Sequence, residues 1–166
     1  MAPPGTLMRR ALPIVCAVGV AAACAGGASA SAASPDPAYS KQMQAVGAGL
    51  STSLAAISAA AGVPFHYPVK PTAARDAARY LTKGHVSLVA VTSRLKAIKP
   101  PAAVATDHAK LMKATVQLNT EILPVIAKLR QGYLVAADKL LSLPGIKKVS
   151  AAVVALKKDG YSIGVT

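Results

Sequence analysis

The amino-acid sequence predicts an all-α protein that folds as an up-and-down four-helix bundle. Apolar residues recur at three- and four-residue intervals through four long segments, which is the period of a helix face rather than of a strand. Prolines and glycines separate these segments, as expected where helices end. The chain has no Trp and one Phe, so its core must be built from Ala, Leu, Val and Ile. Ala and Leu are strong helix formers, which favours the same fold.

The first predicted helix begins after Asp36, a suitable N-cap residue, with Pro37 at its first helical position. Gly62 and Pro64 end it. Its apolar face consists of Tyr39, Met43, Val46, Leu50, Leu54 and Ile57. The second helix begins near Thr72 and ends at the Pro100-Pro101 pair. Its apolar face consists of Ala74, Ala77, Leu81, Leu88, Val91, Leu95 and Ile98.

The third predicted helix begins at Pro101 and ends at Gly132, a candidate C-terminal cap. Its main apolar face consists of Val104, His108, Leu111, Thr115, Leu118, Ile122, Val125 and Leu129. A second apolar side consists of Met112, Val116, Leu123 and Ile126. We therefore expect this helix to be the most buried of the four. The apolar register continues past Pro124, which predicts a kink rather than a break.

The fourth segment, 133–158, ends at Asp159-Gly160, and Pro144-Gly145 predicts that it forms two pieces. Its predicted inward residues are Leu134, Ala137, Leu141, Ile146, Val149, Val153 and Leu156. Short connections favour antiparallel neighbours and thus a bundle domain over residues 38–160, followed by a C-terminal tail at 161–166. The alternative architecture is a three-helix core covered by the split fourth segment.

Residues 1–30 have the pattern of an export signal. Arg9 and Arg10 precede an unbroken apolar run of roughly 13 residues, and Ala28-Ser29-Ala30 supplies a small-x-small cleavage site. The run is shorter than the ~20 residues that a membrane-spanning helix requires. The sequence therefore predicts that the working protein is extracytoplasmic, with residues 31–37 as a flexible tether ahead of the bundle.

Two ways of processing this signal are open, besides retention as an uncleaved anchor. Cleavage after Ala30 releases a secreted protein. The stretch Val20-Ala21-Ala22-Ala23-Cys24 instead resembles a bacterial lipobox, with Ala21 where that motif prefers Leu. The resemblance implies a bacterial source and a lipid anchor on Cys24 at the cell envelope. The other cysteine, Cys16, leaves with the signal in both cases, so the mature chain cannot form an intrachain disulfide.

The sequence contains no motif that predicts an enzyme, a metal centre or a cofactor site. The one glutamate, Glu121, has a proline rather than a histidine three residues after it, which excludes the di-metal pattern of helical bundles. His108 is predicted at a bundle end opposite Leu95, with one hydrogen-bond partner, and we expect it to share no site with His66 or His85. Gly47 and Gly49 follow no strand, and we interpret them as close-packing positions rather than as a phosphate loop.

Basic charge is the feature that points to a partner. Without residues 1–30 the chain keeps 17 basic and six acidic residues, a net charge of +11. Arg75, Arg79 and Lys83 form a stripe at four-residue spacing, typical of either a solvated face or a surface for anionic polymers, lipid headgroups or an acidic protein. Nucleic acid is not expected, because an export signal is present and no aromatic stacking platform is visible.

The loop residues Phe65, His66 and Tyr67 are a second candidate contact, since stiffened loops often bind partners. The alternative is that Phe65 covers the end of the core. Together these features predict an exported or envelope-bound binding protein that contacts anionic envelope material or an acidic partner. A second hypothesis is an extracytoplasmic carrier of a small apolar ligand or haem, with Gly84 and Pro124 leaving room between the helices.

Overall fold

The computed structural model describes residues 35–63 and 71–164. The predicted export signal with Cys24, the start of the tether, and the loop residues Phe65, His66 and Tyr67 lie outside the described residues.

Four α-helices form the described part of the chain, and it contains no strand. Their bounds are α1 Pro37–Gly62, α2 Ala73–Ala97, α3 Ala105–Arg130 and α4 Pro144–Lys158. A 3-10 turn, Ala102–Val104, precedes α3, and a longer 3-10 helix, Leu134–Ser142, joins α3 to α4. The predicted all-α four-helix fold is confirmed, and the fourth segment is in two pieces as expected.

Contacts between α1 and α2 show that these helices are antiparallel. Near the start of α1, the Ala45 carbonyl accepts from Arg94 Nη1 at 3.2 Å, and one turn later the Gly49 carbonyl accepts from Ser87 Oγ at 3.0 Å. Residues further along α1 therefore contact residues further back on α2.

The other pairs of consecutive helices are antiparallel as well. His108 Nε2 lies 3.0 Å from the Leu95 carbonyl at one end of α2 and α3, and Arg130 Nη2 lies 3.4 Å from Thr82 Oγ1 towards the other. On the far side of α3, Glu121 contacts Gly145 and Gln117 contacts Lys148. The helices therefore run up, down, up and down.

Local sequence signals fix the helix ends. Asp36 Oδ1 accepts from the backbone N–H groups of Ala38 and Tyr39 at 2.8 and 3.0 Å, which confirms it as the N-cap of α1. Gly132 and Gly160, with φ of 94° and 87°, end α3 and α4. In both turns the residue after the glycine donates to a carbonyl five residues back, the Schellman arrangement that only a left-handed residue permits.

The predicted faces are largely those that the bundle buries, with one instructive error in the fourth segment. Leu141, expected inside, is 59% exposed, whereas Leu140 is fully buried. The reason is the 3-10 geometry of this segment: at three residues per turn, Ala137 is followed on the same face by residue 140 rather than 141.

The expectation that α3 is the most buried helix is wrong. Eight of its 26 residues are buried, against ten of 25 in α2. On its second apolar side Ile126 is buried, but Val116 and Leu123 are 42% and 50% exposed. The helix continues unbroken through Pro124, as the apolar register predicted.

The last described residues belong to the core rather than to a free tail. Tyr161 and Ile163 are buried, and Tyr161 meets Tyr39 of α1 edge to face, with ring centroids 4.8 Å apart. A Cβ at Gly47 would lie 2.8 Å from the Gly164 nitrogen and 2.9 Å from Ile163 Cγ2, so this glycine lets the returning chain lie against α1.

The α1 helix has the length and apolar composition of a membrane span, by those two criteria alone. A core helix of a soluble protein meets the same criteria. In the bundle 39% of its most apolar window is buried.

The contact between α3 and α4 depends on one glycine and one carboxylate. A Cβ at Gly145 would lie 2.7 Å from Leu118 Cα and 2.8 Å from Glu121 Oε2, closer than real Cβ contacts allow. Glu121 Oε2 accepts from the Gly145 N–H at 2.8 Å, and its Oε1 accepts from Gln117 Nε2 at 2.6 Å. The glutamate of α3 thus satisfies an N-terminal amide of α4 and places negative charge at its positive end.

We predict that Gly145→Ala destabilises the protein by about 1–3 kcal/mol, because the added methyl group meets backbone atoms that cannot move alone. Gly62→Ala is the matched control. Its Cβ would meet nothing within 4 Å, so the free energy of unfolding should rise slightly, by up to about 1 kcal/mol. Urea unfolding of both variants measures the difference. Equal effects of the two substitutions would contradict the close approach of α3 and α4.

Candidate functional site

The basic stripe of α2 forms one wall of a groove between α2 and α3. Arg75, Arg79 and Lys83 all line it, and α3 adds Arg130 to the same surface. Ala78 and Thr82 complete the lining of this space of about 520 Å³, which we call the α2–α3 groove. The three predicted partner-binding residues of α2 are therefore on one surface, with a fourth cation opposite them.

Helix geometry explains how these side chains meet. Residues four apart lie on one face of a helix, about 6 Å apart along its axis, so the stripe extends for about 12 Å. The small side chain of Ala78 leaves space between the long cationic ones. Arg130, in the last turn of α3, approaches α2 with its Nη2 3.4 Å from Thr82 Oγ1.

Arg130 is the member of the site that sequence reasoning missed. A signal for it was present in the predicted pairing of His108 with Leu95. Extending that antiparallel register by 22 residues along α3 brings Arg130 level with Ala73, nine residues from the Thr82 that it contacts, so the register indicates the correct half of α2 but not the contact itself.

One acidic residue offsets part of this charge. Asp76 Oδ1 lies 3.6 Å from Arg79 Nη1, in an exposed ion pair of small energetic value. The same carboxylate accepts from Thr72 Oγ1 at 3.1 Å. Arg75, Lys83 and Arg130 make no ion pair with any described residue. The groove thus presents three cationic side chains that are not paired with acids of the described chain.

His108 is a buried structural residue with two partners rather than the predicted one. It is 5% exposed, its Nε2 lies 3.0 Å from the Leu95 carbonyl, and its Nδ1 lies 3.1 Å from the Tyr39 hydroxyl. A carbonyl can only accept, so Nε2 carries the proton and donates. In the neutral ring Nδ1 then accepts from Tyr39, and every polar atom of this cluster is satisfied.

This arrangement also completes the end of α2. Leu95 is in the last turn of α2, where carbonyl groups have no partner within the helix. His108 of α3 supplies that partner, and Tyr39 extends the connection to α1. The predicted position of His108 opposite Leu95 is confirmed, and the role of the residue is to join three helices at one end of the bundle.

His85 does not join it, and His66 lies outside the described residues. His85 is partly buried on α2, ten residues or about 15 Å before Leu95. Within 35–63 and 71–164, no three His, Cys, Asp or Glu residues are placed to hold a metal ion.

The space for a carried ligand that the sequence suggested beside Gly84 is filled by α1. A Cβ there would lie 3.1 Å from Ala56 Cβ and 3.1 Å from the Ser53 carbonyl, so α1 packs directly against this position. Gly49 is similar, because its Cβ would lie 2.5 Å from Val91 Cγ2. These glycines bring α1 and α2 together, as interpreted for Gly49, and Gly84 provides no room for a carried ligand.

Comparison of the chain with protein-family models, with curated proteins and with solved structures gives no match.

Burial of Tyr39 makes the stability of the fold depend on pH in the alkaline range. Burial first, and the neighbouring Tyr161 and Asp159 second, raise the pKa of Tyr39 from 10.0 to about 12. Between these two values the unfolded chain loses a phenolic proton that the folded chain keeps. Folding stability from this group is therefore complete below pH 10 and falls as the pH rises towards 12.

We predict that the melting temperature of the wild type falls more steeply between pH 10 and 12 than that of Tyr39→Phe, which has no phenol to ionise. Lysine titration affects both proteins and cancels in the difference. At neutral pH the variant should be less stable by about 1–3 kcal/mol, since His108 Nδ1 loses its donor. Thermal unfolding followed by circular dichroism measures both quantities. Parallel pH curves for the two proteins would contradict the raised pKa.

Proposed function

We propose that this protein is an exported, non-enzymatic binding module of the cell envelope. Its α2–α3 groove binds a linear anionic polymer. The observation that supports this function is the convergence of Arg75, Arg79 and Lys83 with Arg130 from another helix, beside a single acid. Export is supported by the sequence pattern of residues 1–30 alone.

The like charges of the α2 stripe do not stabilise the helix. Like charges four residues apart on a helix destabilise it by about 0.2–0.5 kcal/mol per pair, and the α2 stripe contains two such pairs, Arg75 with Arg79 and Arg79 with Lys83. The approach of Arg130 adds further repulsion. A bound polyanion would reverse the sign of all these terms, because each cation would then face a negative group.

The dimensions of the stripe favour a polymer over a small anion or a flat membrane. Three cations spread over about 12 Å of α2 match successive charged groups of a chain better than the single charge centre of a small ion. They lie on the wall of a groove, which admits a chain more readily than a planar array of lipid headgroups. Guanidinium groups bind phosphate through two parallel hydrogen bonds, and three of the four cations are arginines. We therefore favour a phosphate-bearing polymer.

We predict that the protein binds long-chain polyphosphate and that the affinity falls steeply as salt rises, because exposed charges are screened. The triple variant Arg75→Gln, Lys83→Gln, Arg130→Gln should bind about tenfold more weakly, which corresponds to about 0.5 kcal/mol per lost cation. It retains the Arg79–Asp76 ion pair and loses both like-charge pairs of α2, so its melting temperature should be unchanged or slightly raised. Fluorescence anisotropy with labelled polyphosphate at low and high salt measures the binding.

The matched control removes the same charge elsewhere. Lys41, Lys128 and Lys139 are exposed and do not line the groove, so their joint substitution by Gln should weaken binding by less than threefold. If both triple variants lose affinity equally, net charge rather than the groove binds the polymer. Tighter binding to polyglutamate or to anionic lipid vesicles than to polyphosphate would redirect the proposal to an acidic protein or a membrane surface.

A further inference from the structure

A second cationic groove lies on the opposite side of α3, between α3 and α4. Lys110 and Lys113 of α3 and Lys148 of α4 line it, around a space of about 550 Å³ that we call the α3–α4 groove. The rest of its lining is small or neutral: Ala114, Gln117, Ala151, Ala152 and Ala155. The alanines of both helices are small, and Ala114 and Ala152 are buried, so they leave a depression around which the three lysines lie.

The charges of this groove are partly tied to the protein. Lys110 Nζ forms an ion pair with Asp107 at 2.6 Å, and Lys148 Nζ donates to Gln117 Oε1 at 2.8 Å. Lys113 makes no ion pair with any described residue. The contact with Gln117 holds Lys148 over α3. Gln117 also donates to Glu121, which in turn accepts from the Gly145 amide of α4. The fold thus positions one lysine of the groove and leaves the positive charge in excess.

The two grooves are separate in space and in electrostatics. Lys113 and Arg130 are 17 residues apart on α3, or about 26 Å along its axis. This distance is about three Debye lengths at physiological salt. The surface between them includes Val116, Thr120 and Leu123, which are exposed and uncharged. A phosphate group bound beside Arg130 therefore does not neutralise Lys113.

We propose that the α3–α4 groove is a second anion-binding site and that the protein bridges two segments of phosphate-bearing polymer, one in each groove. The bridging part rests on the proposed function of the α2–α3 groove, whereas the second site does not. A protein with two independent sites on opposite sides of one helix joins chains, or distant parts of one chain, without forming an oligomer. Its effect on a polymer is therefore to cross-link it.

Nuclear magnetic resonance with tripolyphosphate tests the two sites separately, because this probe is too short to reach both. The protein, as processed by its own host, should show two groups of shifted amides, one around Arg79 and Arg130 and one around Lys113 and Ala151. The variant Lys110→Gln, Lys113→Gln, Lys148→Gln should lose only the second group. The α2–α3 triple variant should lose only the first. The two variants remove equal charge, so each is the control for the other.

Light scattering with long-chain polyphosphate tests bridging. Wild-type protein should raise the scattering at intermediate ratios of polymer to protein, and excess polymer should abolish it, because each groove then holds a different chain. Either triple variant should reduce the maximum at least fivefold. A variant in which Lys110, Lys113 and Lys148 are all replaced by Arg should retain it, since the charge is kept.

The outcomes distinguish the two proposals. Shifts confined to the α2–α3 groove would overturn the second site and leave the proposed function standing. Shifts confined to the α3–α4 groove would overturn the proposed function and support the second site alone. Shifts in both grooves, with scattering that neither variant reduces, would overturn bridging.

Discussion

Close approach of helix backbones is the constraint on which the rest of this structure depends. The chain has no Trp and one Phe, and its core combines leucines and isoleucines with many buried alanines. Dense packing is possible only if the helices lie near one another, because gaps in a core forfeit dispersion contacts. Glycines at the contact points provide that approach: Gly49 and Gly84 between α1 and α2, and Gly145 between α3 and α4.

Polar contacts then fix how the closely packed helices are aligned. Apolar faces of similar alanines and leucines permit many axial positions, since one small residue resembles the next. His108 accepts from Tyr39 and donates to Leu95, which sets the relative height of three helices. Glu121 does the same for α4 by accepting from the Gly145 amide. Each group is at a helix end or a glycine contact, where backbone atoms without helical partners are accessible.

The excess of positive charge is not explained by the stability of the fold. It does not support the fold, because the described chain has two ion pairs and both are between neighbours on one helix turn. The antiparallel packing instead gathers cations from separate helices into two grooves, one on each side of α3. The same alanines that allow dense packing inside make the grooves concave outside. The proposal of an elongated anionic partner rests on this arrangement of charge.

Features that depend on residues close together in the chain could be predicted from the amino-acid sequence. The apolar period and the signals at helix ends act within one or two helix turns. They predicted the four helices and most of their buried faces, and helical spacing predicted three of the four cations in the α2–α3 groove. The signals at helix ends are Asp36, Gly132, Gly160 and the Pro144-Gly145 interruption. The 3-10 helix Leu134–Ser142, in which Leu140 rather than Leu141 is buried, packs against α1 and α3. Three other features likewise depend on how the helices pack. They are the burial of Tyr161 and Ile163 in the core, the position of Arg130 beside α2, and the proximity of Lys110 and Lys113 to Lys148. These residues meet across 35 to more than 100 positions of chain, so no local pattern brings them together. Close approach at Gly47 admits Ile163, and close approach at Gly145 brings α4 with Lys148 against α3.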